Sequence, residues 1–363
     1  MNGEGILRIP VLFRAFFMLL CLAVALPGEG LAQGFAGLGT TVQGFALPRP
    51  GVALRFPGDH GAHPDYRIEW WYVTANLKGS DGKDYGAQWT LFRSALAPGE
   101  KSGWMSPQIW MGHAALTSQS HHLVAETLAR GGIGEAGVTV NPFSAWINDW
   151  SMSGKADEKG VLSGLTLKAK GKGFSYDLAL DVDGPLVEQG DHGYSIKSAS
   201  GQASYYYSEP FLTVKGTIQL PSGPVAVTGK AWLDHEWSSQ PLATDQKGWD
   251  WFSLHFADGG KLMGFRLRGA SGDFTSATWI SADGKAEALG NGALRLTVLE
   301  RGRVAGRDIP LRWRLDLPEK HFSVETTPLN SQSWMAVSVP YWEGPIRFSG
   351  TTSGVGYLEM TGY

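Results

Sequence analysis

The stretch 228–268, TGKAWLDHEWSSQPLATDQKGWDWFSLHFADGGKLMGFRLR, decides how the chain is read. It gathers Trp232, Trp237, Trp249 and Trp251, the imidazoles of His235 and His255, and the carboxylates of Asp234, Glu236 and Asp250. Apolar and polar residues alternate with period two, the pattern of strands whose faces meet different surroundings. Phe252, Leu254 and Phe256 share one face, and Asp250 falls on it. Across the intervening loop, Asp234 and Glu236 face one way while His235 and Trp237 face the other. A carboxylate turned toward apolar neighbours has to be paired, hydrogen-bonded or held protonated. A site is expected here first.

Outward from this stretch, the same pattern recurs on both sides. Glu69-Trp70-Trp71-Tyr72-Val73 runs through the turn Asp81-Gly82 to Trp89-Thr90-Leu91-Phe92-Arg93, a hairpin signature. Alternating runs follow at 146–152, 162–169, 174–181, 204–207, 211–220 and 225–233, and a short helix is expected over 121–130. The second half repeats the scheme. The segment Trp251-Phe252 through Asp258-Gly259 to Phe265-Arg266 resembles the first hairpin, beginning at Trp71-Tyr72. Gly229-Lys230-Ala231-Trp232-Leu233-Asp234 parallels Gly354-Val355-Gly356-Tyr357-Leu358-Glu359. Tyr206, Tyr207 and Glu209 echo Tyr341, Trp342 and Glu343. Three correspondences in one order predict an all-β chain of two tandem antiparallel β-barrel domains, 63–237 and 238–363, joined in the polar loop 238–248.

Bulk properties narrow the function. The chain has 363 residues, a formal net charge of -3 and only 18% charged residues, so nucleic acid is not the expected partner. Its 49 glycines and 15 tryptophans suit a sheet protein with many tight turns. Arg8 and Arg14 precede the apolar run 15–26, followed by Pro27 and the small-residue site Gly30-Leu31-Ala32. This reads as a cleavable secretory signal over 1–32, which predicts a periplasmic or secreted protein. The single cysteine, Cys21, lies inside that run, so thiol and disulfide chemistry are not expected of the mature chain. Residues 33–62 read as an extended arm rich in Gly, Ala and Pro.

The set HPDY at 63–66 with EWWY at 69–72, DHEW at 234–237, GWDWF at 248–252 and YWEG…GYLEMTGY toward the C-terminus resembles the AttH/CrtC-like family. These are exported, lipocalin-like proteins that include carotenoid 1,2-hydratase-like members and predicted secreted hydrolases. The resemblance covers nearly the whole mature chain. It implies two lipocalin-like domains, a ligand site near their meeting point and an ABC-type membrane transporter as a partner. The carotenoid hydratase branch implies a His-x-Trp pair, matched by His235 and Trp237, and an acid on a later strand. The nearest later strand, Lys261-Leu262-Met263-Gly264-Phe265-Arg266, carries no carboxylate, which leaves Asp250.

Two functions follow as expectations. The first is binding of a long apolar ligand, an isoprenoid or other lipid, in an aromatic-lined cavity built from Glu69, Trp70, Trp71, Tyr207, Asp234, Glu236, Trp237, Trp249 and Trp251. The second is a hydro-lyase that adds water to an isoprenoid double bond. Protonating an alkene carbon needs an acid kept neutral by desolvation, aromatic faces for the cation and a base to orient water. Asp250 is the candidate acid and His235 the candidate base. Each has a structural alternative: Asp250 bonded to backbone amides or to an arginine such as Arg266, and His235 as a hydrogen-bonded core histidine. Glu69 has one too, an inter-strand ion pair with Arg93. No G-x-S-x-G or H-E-x-x-H occurs, and the spacing of His113, His121, His122 and His235 marks no metal centre, so neither cofactor nor metal is expected.

Overall fold

The computed structural model describes residues 43–157, 159–240, 242 and 245–363. The expected signal segment, its cleavage point after Ala32 and Cys21 lie outside these residues. Among the described residues there is no α-helix, only single 3-10 turns at Gly58–His60, Gly103–Met105 and Pro318–Lys320. Everything else that is regular is antiparallel strand, in two lipocalin-like barrel domains, one a nearly closed barrel and the other a half-barrel.

The first sheet has 13 strands lying between Ile68 and Ser238, and the second has 10 between Gln246 and Met360. Both are built on the same four-strand centre. In the first, the order is Asp84–Ala95, Ile68–Gly79, Gly223–Ser238, Ala203–Leu220; in the second it is Lys261–Gly269, Gln246–Phe256, Gly354–Met360, Tyr341–Gly350. The sequence correspondences therefore mark equivalent strands. One alignment shifts by a residue: Tyr72 pairs with Asp234 as Trp251 pairs with Glu359, so Trp251 matches Tyr72 and not Trp71.

The first sheet curls back on itself. A Cβ on Gly112 would lie 2.8 Å from Ile147 and 3.2 Å from the ring of Trp150, so strands far apart in the sheet order touch through the interior and only glycine fits there. That interior holds Trp71, Trp89, Leu91, Met152, Leu178 and Leu233, all fully buried. The second barrel encloses Phe252, Leu254, Trp313, Trp342 and Leu358. Each such side chain stabilises the fold by roughly 1.5–3 kcal/mol.

Period two then fixes what faces outward. From the first barrel these are Trp70, Tyr72, Trp232 and Tyr206; from the second, Trp249, Trp251, Met263, Phe265 and Tyr357. The outer faces of the two centres pack on one another as a third core. Hydrogen bonds cross between the halves from Tyr72 Oη to Glu343 Oε1 (2.6 Å), from Asn76 Nδ2 to the Gly356 carbonyl (2.9 Å) and from Trp251 Nε1 to Tyr206 Oη (3.2 Å).

Two local expectations are overturned. Residues 121–130 are not helical: His122–Arg130 is a strand paired along its length with Gln108–Ser118. The ladder offered by that neighbour outweighs the local helix propensity of Leu, Ala and Glu. The run 146–152 is not one strand either. Asn148 takes a positive φ of 53° and turns the chain between Phe143–Ile147 and Trp150–Ala156.

Candidate functional site

Between the two packed faces lies a cavity of about 110 Å³. Trp70, Tyr72, Phe92, Tyr206, Trp249, Trp251 and Phe265 form its apolar walls, and Asp234, Glu236 and Glu359 are its carboxyls. Half-buried Lys197, Gln202, Gln240 and Leu242 stand at its edge.

The carboxyls differ in their surroundings. Asp234 is held by Tyr206 Oη (2.7 Å), Ser208 Oγ (2.5 Å) and Trp232 Nε1 (2.6 Å), all donating to it. Burial outweighs those donors, with Glu236 adding to it, and lifts its pKa to about 7. Glu236 pairs with Lys197 Nζ at 2.8 Å, and that ammonium also sits 4.4 Å from the centre of the Phe265 ring. Glu359 receives Trp249 Nε1 at 2.6 Å and is likewise pushed up to about 7, chiefly by burial. Directly across the strand pair, Glu343 is raised well above the ordinary range by burial and by Glu359. Tyr72 donates to Glu343 Oε1 and also acts on Glu359, pulling its pKa down, and Glu343 Oε2 has no partner among the described residues. Tyr72 thus stands between a buried acid outside the cavity and one on its wall.

A second polar cluster lies on the other face of the same strands, inside the first barrel. Glu69 Oε2 accepts from Arg93 Nε at 2.7 Å, and Glu69 Oε1 contacts His63 Nδ1 at 2.6 Å and His235 Nε2 at 2.8 Å. Arg93 and His63 outweigh the cost of burial and hold Glu69 well below its ordinary pKa. Burial drags His63 down, yet Glu69 and Asp59 outweigh it and raise the imidazole to about 9. His235 is lowered to about 4, mainly by burial. The chain of contacts continues from His235 Nδ1 to Tyr207 Oη (3.2 Å), to His60 Nδ1 (2.7 Å) and from His60 Nε2 to the Gly160 carbonyl (2.6 Å). Both ends of this chain only accept, so its four links need four protons. Two neutral imidazoles and one phenol supply three. The 3.2 Å link is the longest, as the one left without a proton would be.

His63, Glu69 and His235 bring three ligand-type atoms within 4.8 Å of one another. Those atoms are already engaged with each other, and the Arg93 guanidinium lies on the same carboxylate, so the donor set does not fit a cation. His113, by contrast, bonds Tyr341 and Glu126 elsewhere.

Asp250 lies in a third place. It points into the second barrel, where Arg266 donates to its Oδ2 from Nε (2.9 Å) and Nη2 (2.7 Å) and Tyr363 Oη donates to its Oδ1 (2.7 Å). Asp250 and His235 therefore do not share a cavity: they face away from the cleft into different barrels. Of the expected ligand-binding set, Trp70, Asp234, Glu236, Trp249 and Trp251 line the cleft. Glu69, Trp71, Tyr207 and Trp237 lie on the opposite faces of their strands, because adjacent residues of a strand point opposite ways. Tyr72, Tyr206, Glu343 and Glu359 were missed. The parallel between Gly229–Asp234 and Gly354–Glu359 carried the signal, since it makes Glu359 the counterpart of Asp234.

Asp250→Asn is accordingly expected to leave the cleft's chemistry unchanged. It should cost roughly 2–4 kcal/mol of stability by stranding Arg266 and Arg268, whose Nε lies 3.5 Å from Asp250 Oδ2, read from denaturant unfolding alongside ligand binding.

The AttH-like family model matches residues 47–363. The chain belongs to that family. It is 33% identical to an AttH protein of Nitrosomonas europaea, whose crystal structure it matches with a TM-score of 0.79 over 88% of this chain and 99% of that one. Kievitone hydratase from Nectria haematococca shares the fold at 15% identity (TM-score 0.67; 87% and 95% covered). CghA, solved with Sch210972, shares it at 14% identity (TM-score 0.53; 91% and 97% covered). No curated protein matches the chain.

Proposed function

We propose that this AttH-like chain takes the unsaturated end of an apolar, isoprenoid-like molecule into the cleft between its barrels and adds water across a double bond there. The observation that carries the reading is Glu359: a carboxyl held near pH 7 on an aromatic wall, with a second buried acid behind it through Tyr72. A cavity of about 110 Å³ is comparable to one of about 150 Å³ that admits a benzene ring, so a long ligand enters by its tip.

In this mechanism Glu359 gives its proton to one alkene carbon, and the cation forms on the more substituted neighbour. The faces of Trp70, Trp249 and Trp251 stabilise that charge. Water adds to the cation, and its surplus proton goes to the carboxylate left on Glu359. Asp234 and Tyr206 orient the water from the facing barrel. The fold shared with kievitone hydratase is consistent with such chemistry. Export to the periplasm or exterior, expected from residues 1–32, is part of the proposal.

The test is incubation of the purified protein with a panel of prenylated and isoprenoid alkenes, followed by mass analysis. A product heavier by one water supports the reading. Ligands recovered bound but unaltered would make the cleft a carrier site instead. No tryptophan quenching and no retained apolar compound would overturn both.

The buried acids also set a pH dependence. A carboxyl raised in the folded state favours folding below its ordinary pKa, and that contribution is lost as pH rises through the raised value. Stability should fall between pH 4.5 and about 7. Glu359→Gln should flatten this slope and gain on the order of 3 kcal/mol at pH 8, measured by denaturant unfolding across pH.

A further inference from the structure

We propose that the corner of the first barrel carrying Trp104 is a membrane-docking surface, through which the apolar ligand reaches the cleft from a lipid bilayer. The inference rests on reading the cleft as an apolar-ligand site.

Large apolar side chains exposed to water concentrate at this corner. Leu96 is 70% exposed, Trp104 74%, Met105 71%, Leu128 60% and Ile109 42%. Backbone contacts bring their segments together. Leu96 N bonds the Pro107 carbonyl, Gly103 N bonds the Gly132 carbonyl, and Ile109 pairs with Ser94 on one side and Arg130 on the other. A soluble surface does not collect such residues without a partner.

The corner is continuous with the cleft wall. Leu128 pairs with Met111, Met111 with Phe92, and Phe92 with Trp70, so these four lie side by side on the outward face of four adjacent strands. Phe92 and Trp70 line the cavity, and Met111 pairs with Phe92 and packs on the cluster that Phe92 forms with Ile68, Met335 and Tyr341. An apolar strip therefore runs from the exposed corner into the site.

The polar groups at the corner suit phospholipid headgroups. The Arg130 guanidinium lies 6.0 Å from the centre of the Trp104 ring and donates to the Trp104 carbonyl at 2.6 Å. Lys101 is exposed beside them, while Glu100 is turned back to accept from Ser106 Oγ. A tryptophan between apolar and cationic groups is the side chain favoured at the bilayer–water boundary.

The experiment is co-sedimentation of the full chain with pure phosphatidylcholine vesicles and with mixed phosphatidylcholine–phosphatidylglycerol vesicles, repeated for the double variant Trp104→Ser, Leu128→Ser. The unaltered chain should bind both, more tightly when anionic lipid is present. The variant should bind on the order of tenfold more weakly or worse, with an unchanged melting temperature. Its turnover or binding of detergent-dispersed ligand should also be unchanged, which separates failure of this inference from failure of the cleft reading. Absence of vesicle binding, equal binding by the variant, or binding only to membranes that retain their proteins would overturn it. The last outcome would assign the corner to a membrane protein such as a transporter.

Discussion

Glu359→Gln is expected to lower hydration by about 10²–10⁴-fold while ligand affinity changes little. Glutamine keeps the volume of the side chain and still accepts from Trp249 Nε1, so the wall of the cavity persists. What it loses is the transferable proton. Measuring turnover and tryptophan quenching on the same preparation separates the two. The pH profile gives a further check: with an acid near pH 7, the rate should decline above that pH. Tyr72→Phe should leave the first proton transfer possible but cut the link to Glu343. If Glu359→Gln retained full turnover, the acid would have to be Asp234, and Asp234→Asn would then show the loss.

Arg93→Met is expected to be strongly destabilising, costing about 3–5 kcal/mol in denaturant unfolding. Both Arg93 and Glu69 are fully buried, and the guanidinium also bonds Gln108 and the carbonyls of His63 and Tyr66. Methionine fills much of the space but leaves an anion in the barrel with only two imidazoles and the His63 backbone N–H to answer it. The pH behaviour carries the sign. Glu69, lowered in the fold, contributes stability above its ordinary pKa of 4.5 that is lost on acidification. His63, raised to about 9, contributes below its ordinary 6.5 and loses that contribution as pH climbs through 9. Stability contributed by this pair should therefore peak between those limits, and His63→Gln should remove the alkaline decline.

The sequence carried the architecture because period two survives almost every strand and the motifs repeat in order. It also separated the faces: Asp234 and Glu236 were set apart from His235 and Trp237. What alternation does not say is which face meets the other barrel, so residues from both faces entered one expected site. The candidate pair Asp250 and His235 is parted between the two barrels for the same reason. Each is buried and polar, but the partners that satisfy them, Arg266 and Glu69, come from neighbouring strands, and only the register shows that they are taken. The helix expected over 121–130 had the matching fault, since its fate depended on a strand elsewhere.

The repeat explains why the cleft has acids on both sides. Asp234 and Glu359 occupy equivalent positions on equivalent strands, and packing the two copies face to face turns one inherited position into an opposed pair. A lone ancestral barrel would have presented a single carboxyl on an open surface. Doubling it created the enclosure and the second acid at once, and left the copies free to diverge: one oxygen-rich cradle around Asp234, one sparsely bonded carboxyl at Glu359.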